Sequence, residues 1–231
     1  DSYNTGVGYA AGTAMTTGTL NTLIGGLAGD AITTGTGNVA VGHAALSTED
    51  THGTNVAIGQ SALAILNAGV DGYNTAVGHT AGALISTGVR NTVIGAIAGD
   101  AMTTGSDNTI VGERSGSAQT IANWNSSLGE NSLFTNVASS NNTAIGASAL
   151  AVMTSATAAN GNNVAVGSSA GIAVTSGVQN TLIGTQAGNA ITTGDNNIII
   201  GNNAAASAVG ADNETVIGTA TTTNAIVHGL R

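Results

Sequence analysis

Apolar residues recur at a fixed interval along the chain, within a five-residue segment Asn-x-x-x-Gly whose fourth residue is always Val, Ile or Leu. Successive copies start 17 residues apart, except for a step of 19 after Asn55 and a step of 21 after Asn142. A fixed period of this kind is typical of a repeat architecture in which each copy is one structural unit. The copies begin at Asn4, Asn21, Asn38, Asn55, Asn74, Asn91, Asn108, Asn125, Asn142, Asn163, Asn180 and Asn197, with a thirteenth at Glu214.

Each 17-residue unit, numbered here from position 1 to position 17, predicts two short strands at about positions 1–5 and 9–13, because Thr, Val and Ile favour strands. Glycine at position 5 and Thr-Thr-Gly at positions 13–15, as in Thr33, Thr34 and Gly35, mark the corners between them. Stacked units predict a parallel β-solenoid of thirteen coils, spaced ~4.8 Å apart and about 60 Å long. We expect the Asn residues at position 1 to form a ladder from coil to coil.

The residue at position 3 predicts self-association. Side chains alternate along a strand, so with positions 2 and 4 facing the interior, position 3 is expected to face outward. Position 3 is nevertheless mostly apolar, and a strand that is apolar on both faces is normally covered on both. An uncovered apolar stripe of this length favours aggregation. The sequence therefore predicts an interface between sister chains at Leu23, Val93, Ile110, Leu182, Ile199 and Val216.

The composition narrows the range of functions. Of 231 residues, 35 are Gly and 42% are hydrophobic, whereas only 6% are charged and 2% are aromatic. The hydrophobic content argues against disorder, and a formal net charge of −9 argues against nucleic acid or anionic membranes as main partners. No apolar run reaches the length of a membrane span. We expect one repeat domain over residues 1–231, as a piece of a longer polypeptide, since the chain begins at Asp1 and enters the repeat at Asn4.

The segments Asn55–Gly59 (NVAIG), Asn142–Gly146 (NTAIG) and Asn163–Gly167 (NVAVG) resemble the head repeat of trimeric autotransporter adhesins. The 17-residue spacing with its Thr-Thr-Gly corner, and the segment Thr193–Thr219, are more similar to repeats of phage tail fibres. The resemblance covers essentially the whole chain, although residues 108–141 lose the Thr-Thr-Gly corner. It implies an all-β, left-handed parallel β-roll with three chains around one axis and an adhesive or structural role.

Position 17 carries the largest exposed candidates for a contact surface. Tyr73, Arg90, Asp107 and Trp124 follow one another on consecutive coils and are expected to form a row with ~5 Å between neighbours. Aromatic and Arg side chains are enriched where proteins make energetically important contacts. The row is therefore a candidate surface for carbohydrate or protein, although the alternative of a corner that tolerates any side chain is favoured.

Two kinds of irregularity interrupt the repeat. The stretch Glu113–Phe134 contains the only Trp and the only Phe of the chain. We interpret these aromatics as a plug that fills a degenerate coil, in preference to a receptor-facing platform, because large aromatics are usually packed. The insertions Asn67–Tyr73 and Thr154–Asn162 are candidate recognition loops on a rigid scaffold, but both are bland in composition.

Other motifs carry little chemistry. His43 and His79 share position 6 but lie two coils apart, about 10 Å, which is too far for a common metal ion within one chain. Gly167–Gly171 fits the hydrolase motif G-x-S-x-G, but it is simply positions 5 to 9 of the repeat. We therefore expect no catalytic residue, no metal and no cofactor.

The resemblance, together with the predicted self-association, implies a trimeric viral tail-fibre segment that attaches to carbohydrate or protein on a host surface, located on the virion and outside the cell. A bacterial trimeric autotransporter adhesin at the cell surface is the alternative. An ice-binding solenoid is a minor alternative suggested by the Thr-rich corners. Neither nucleic-acid binding nor membrane insertion is expected.

Overall fold

A computed structural model describes residues 2–154 and 160–219, and it shows an all-β parallel solenoid with 17-residue coils. Thirteen strands form one sheet in sequential order, and each strand pairs in parallel and in register with the next. The predicted solenoid is thereby confirmed. The strands are β1 (Thr5–Val7), β2 (Thr22–Ile24), β3 (Val39–Val41), β4 (Val56–Ile58), β5 (Thr75–Val77), β6 (Thr92–Ile94), β7 (Thr109–Val111), β8 (Ser126–Leu128), β9 (Thr143–Ile145), β10 (Val164–Val166), β11 (Thr181–Ile183), β12 (Ile198–Ile200) and β13 (Thr215–Ile217).

The second predicted strand, at positions 9–13, is wrong for the part of the chain that the structure describes, where each coil has a single three-residue strand. Positions 9–13 still bond from coil to coil, as in Gly12 N to Ala28 O at 3.0 Å, but they form turns. The reason is that positions 7 and 9 adopt the left-handed conformation, with φ of 60° at Leu27 and 54° at Gly29. Two such residues so close together prevent an extended segment.

The strand faces are the reverse of those predicted. Position 3 points into the coil, and the six residues predicted to form the trimer interface lie there instead. Leu23, Val93, Ile110, Leu182 and Ile199 are buried inside the single chain, and Val216 is partly buried against the same core. Positions 2 and 4 point outward. The interface prediction at position 3 is therefore wrong, because its apolar character is explained by the core of the chain itself.

The inward-facing residues at positions 3 and 9 have complementary volumes. Leu23 faces Gly29, where an added Cβ would lie 2.7 Å from a Leu23 methyl carbon. In the third coil the sizes are reversed, because position 3 is the small residue Ala40 and position 9 is the large residue Leu46. The same exchange gives Leu at position 9 in the coils of β4, β8 and β9, where position 3 is Ala or Ser. In these coils the narrow interior therefore holds one large side chain at this level, as close packing requires, whereas the coils of β5 and β10 have small residues at both positions.

The predicted asparagine ladder is confirmed. Each position-1 side chain accepts a hydrogen bond from the backbone N–H of position 1 in the next coil, as in Asn108 N to Asn91 Oδ1 at 3.0 Å. In most coils its amide group also closes its own coil, as in Asn91 Nδ2 to Gly105 O at 2.9 Å, whereas Asn55 and Asn142, whose coils contain the insertions, donate to Gly53 O and Ser140 O of the preceding coil. From Asn21 to Asn197 these side chains are buried. The ladder thus supplies the polar partners that buried backbone groups need at this corner.

The apolar core is interrupted by one polar level. One cluster of buried apolar residues ends at Ile110 and a second begins at Leu133. Between them, Ser115 Oγ lies 2.7 Å from Ser127 Oγ and 2.9 Å from Ser132 Oγ, and Gln119 is buried with both amide atoms unpartnered. This level coincides with the loss of the Thr-Thr-Gly corner in the sequence.

Candidate functional site

The outward face of the sheet carries a continuous apolar stripe at position 4. Its members, called here the outer stripe, are half-buried or exposed, with Ile94 38% exposed and Leu128 50% exposed. Because the strands pair in register, successive members are about 4.8 Å apart. The outer stripe consists of Val7, Ile24, Val41, Ile58, Val77, Ile94, Val111, Leu128, Ile145, Val166, Ile183, Ile200 and Ile217.

The surroundings of the outer stripe resemble the anatomy of a protein interface. The neighbouring outward residues at position 2 are Thr, Val, Ser or Ile, so no charged residue lies on either outward row of the sheet. Beyond it, position 6 supplies an exposed polar border that includes His43, Gln60, His79 and Glu113. An uncharged apolar centre with a polar rim is typical of surfaces that bind another protein.

A second feature is the row at position 17. Tyr73 and Trp124 are each 59% exposed, and Arg90 and Asp107 lie on the two coils between them. Position 17 is left-handed, with φ of 50° at Tyr73, 57° at Arg90 and 55° at Trp124. This conformation favours Gly and Asn and is costly for other residues. The preferred types do occur at this position in Gly37, Asn141, Asn162, Asn196 and Asn213.

Arg90 and Asp107 form the charged centre of this row. Arg90 donates two parallel hydrogen bonds to Asp107, from Nε to Oδ1 at 2.6 Å and from an Nη to Oδ2 at 2.8 Å. The hydrogen bond from Arg90 holds the pKa of the Asp107 carboxyl below its usual range. Because the pair is exposed, it contributes little to stability. Its main consequence is to fix the Arg90 guanidinium within the row that links Tyr73 and Trp124.

The plug interpretation of the irregular stretch is wrong. Trp124 is 59% exposed, and Phe134 is also exposed. The interior at this level is filled by serines and Gln119 instead. Of the two insertions considered as candidate recognition loops, Asn67–Tyr73 is exposed at most of its residues, including Val70. In Thr154–Asn162, residues 155–159 lie outside the described part of the chain.

The described residues contain one cluster of potential metal ligands, and it includes neither His43 nor His79. His43 and His79 are exposed and lie on separate coils. The cluster is Glu49, Asp50 and His52, which replace the usual apolar, Thr and Gly residues at positions 12, 13 and 15. The signal in the sequence was a charged residue at a position that is otherwise mostly apolar.

The motif at Gly167–Gly171 lies at the end of β10 and in the following turn, as the corresponding residues do in other coils. No helix within residues 2–154 and 160–219 is long and apolar enough to cross a bilayer. Comparison with protein-family models, with curated proteins and with solved structures yields no match.

Proposed function

We propose that this chain is a rigid segment of a homotrimeric extracellular fibre, of the kind found in viral tail fibres, which presents a contact surface to a host. The observation that carries the proposal is the outer stripe, thirteen successive Val, Ile or Leu residues on the outward face of one sheet. Exposed apolar patches larger than a few hundred Å² are uncommon on monomeric proteins and mark interaction sites. Sister chains are the natural cover, since a stripe of equal length and period matches itself.

The architecture suits a mechanical role. Coil-to-coil hydrogen bonds run the length of the described chain at the strands, the Asn ladder and the corners. The chain has three Arg and no Lys, at Arg90, Arg114 and Arg231, so trypsin has few sites. No pocket occurs in the described residues, and the cluster of Glu49, Asp50 and His52 is the one group of potential metal ligands there. These features favour a structural element over an enzyme.

The row from Tyr73 to Trp124 is the part of this fibre that we assign to attachment. It combines two exposed aromatic side chains with a fixed guanidinium and carboxylate, and these groups stack on and hydrogen bond to sugar rings or polar protein surfaces. The left-handed backbone is shared by other residues at position 17, including Leu20, Thr54 and Gln179, so the assignment rests on the chemistry of these side chains. We interpret them as a contact surface, with carbohydrate or protein on the host as the ligand.

The trimer is tested by measuring the mass of the purified chain by light scattering. The expected mass is about 66 kDa, three times the 22.1 kDa of one chain. A folded, monodisperse species of one chain would contradict the proposal. Binding of the trimer to a glycan array, with Trp124→Ala expected to weaken it and exposed Tyr9→Ala as the matched control, tests the attachment surface.

The same tests can also support two other functions. A bacterial surface adhesin would likewise be a trimer, and a coiled-coil stalk and a membrane anchor in the parent chain would distinguish it from a viral fibre. An ice-binding solenoid is favoured by a different observation, the outward row of Thr at position 2, which includes Thr75, Thr92 and Thr109 on successive coils. That row is interrupted at Val39, Val56, Ser126, Val164 and Ile198. Thermal hysteresis together with a monomeric mass would support ice binding.

A further inference from the structure

The corner of the third coil places a carboxylate in an apolar row. Glu49 occupies position 12 and is fully buried, as are Ile32 and Leu66 at the corresponding positions of the coils before and after it. The residues that follow, Asp50, Thr51 and His52, replace Thr-Thr-Gly. A buried carboxylate is costly unless it is paired, so its partners decide what it does.

The partners of Glu49 satisfy only half of its carboxylate. Oε1 accepts a hydrogen bond from the His52 backbone N–H at 3.1 Å and lies 3.3 Å from His52 Nδ1. Oε2 is buried and has no hydrogen-bond partner. Burial raises the pKa of the Glu49 carboxyl above its ordinary value. The chain has no Lys, and Arg90 is held by Asp107, so neither supplies a counter-charge here.

The negative charge is not needed to build this corner. Asn136 occupies the same position in the eighth coil and performs the same backbone role with a neutral amide. Its Oδ1 accepts the Ser139 backbone N–H at 3.0 Å, and its Nδ2 donates to Ser139 O at 2.8 Å. Both ends of the amide are satisfied. A Glu at this position therefore adds a charge and an orphaned oxygen that the fold does not require.

We propose that Glu49, Asp50 and His52 bind one divalent transition-metal ion of the Zn²⁺ class. One ligand atom from each residue lies within 4.8 Å of the other two. The set of two carboxylates and one imidazole matches Zn²⁺, which binds both N and O ligands and accepts water as a fourth ligand. Ca²⁺ and Mg²⁺ prefer six or more oxygen ligands, and the imidazole disfavours them.

The backbone around the cluster is held in place before any ion binds. Asp50 O accepts hydrogen bonds from the backbone N–H groups of Thr33 at 2.6 Å and Thr34 at 3.2 Å in the preceding coil. Asn38 Nδ2 donates to His52 O at 3.1 Å. Asp50 and His52 are partly exposed, which gives the ion and its water a route from solvent. A bound dication would supply the missing partner for Oε2 and neutralise the buried charge.

The test is titration of the native chain with Zn²⁺ after removal of metal by a chelator, followed by calorimetry and by thermal unfolding. We expect saturation at one ion per chain and a higher unfolding temperature with Zn²⁺, because a ligand that binds only the folded state stabilises it. Glu49→Gln keeps an oxygen for the His52 N–H but lacks the charge, and we expect it to weaken binding by about tenfold or more. His52→Ala is expected to weaken binding similarly.

Two matched variants separate this site from non-specific binding. His79→Ala removes an exposed histidine outside the cluster, and we expect unchanged affinity. The triple exchange Glu49→Ile, Asp50→Thr and His52→Gly installs the corner of the second coil, Ile32 to Gly35, so it is expected to fold and to lose Zn²⁺ binding. The proposal is overturned by absence of saturable Zn²⁺ binding, by equal affinity in Glu49→Gln or the triple exchange, by loss of affinity in His79→Ala, or by preference for Ca²⁺.

Discussion

At the scale of the residue, the position-1 asparagine does most to define the coil. Its Oδ1 accepts a hydrogen bond from the next coil, and in most coils its amide N–H₂ donates to its own coil, so a single side chain closes one turn and aligns it with the following one. Neither Asp nor Ala can do both, because Asp lacks the donor and Ala lacks both groups. This explains why Asn recurs at this position in twelve successive coils.

Asn91→Ala is expected to lower the free energy of unfolding by about 2 to 5 kcal/mol, because it leaves the Asn108 backbone N–H and Gly105 O buried without a partner. The measurement is chemical denaturation followed by circular dichroism. Asn202→Ala, at an exposed position, is the control and is expected to change stability by less than about 0.5 kcal/mol. Equal effects of the two substitutions would contradict the role assigned to the ladder.

The residue scale also limits what the sequence reveals. The asparagine ladder was predictable from its period alone, and its partners follow from stacking. The cluster of Glu49, Asp50 and His52 was not predicted, because its signal, a charged residue at a mostly apolar position, acquires a meaning once position 12 is known to face the core. The prediction that Trp124 forms a plug was wrong for a related reason. Its burial was inferred from its residue type, and not from whether its position in the coil faces the core or the solvent.

At the scale of the element, the period identified the solenoid and the strand at positions 2–4, but the faces were assigned in reverse. Both faces of that strand are apolar, so alternation alone cannot choose between them. The exchange of large and small residues between positions 3 and 9 contains the missing information, because residues that compensate in volume must face each other. The second strand was over-predicted because the left-handed residues at position 7 are not glycine, as at Leu27 and Ile97, and because position 9 is Leu in four coils.

A double-mutant cycle at Leu182 and Gly188 tests this volume exchange. Leu182→Ala alone is expected to cost about 2 to 5 kcal/mol through a cavity, and Gly188→Leu alone about 1 to 3 kcal/mol through overpacking. The double variant reproduces the pair Ala40 and Leu46, so it is expected to unfold at a higher temperature than Gly188→Leu. Thermal unfolding of all four proteins measures the coupling. Additive losses would show that the two positions do not share one space.

At the scale of the whole molecule, the sheet has one face covered by its own chain and one face that we propose is covered by sister chains. The inner face at position 3 is covered by the chain itself, as the burial of Val93 shows. The outer face at position 4 is left open by a single chain. Ile94, the next residue of the same strand, is 38% exposed. The proposed association of sister chains through the outer stripe explains why position 4 is apolar.

Sedimentation velocity of the native chain, Val93→Asp and Ile94→Asp, combined with circular dichroism, tests this claim most directly. A charge buried without a partner costs several kcal/mol, so its location decides which process fails. We expect the native chain to sediment as a trimer and Val93→Asp to lose folded structure. We expect Ile94→Asp to keep its β-structure but shift towards single chains. An Ile94→Asp protein with the mass and melting temperature of the native chain would contradict the account.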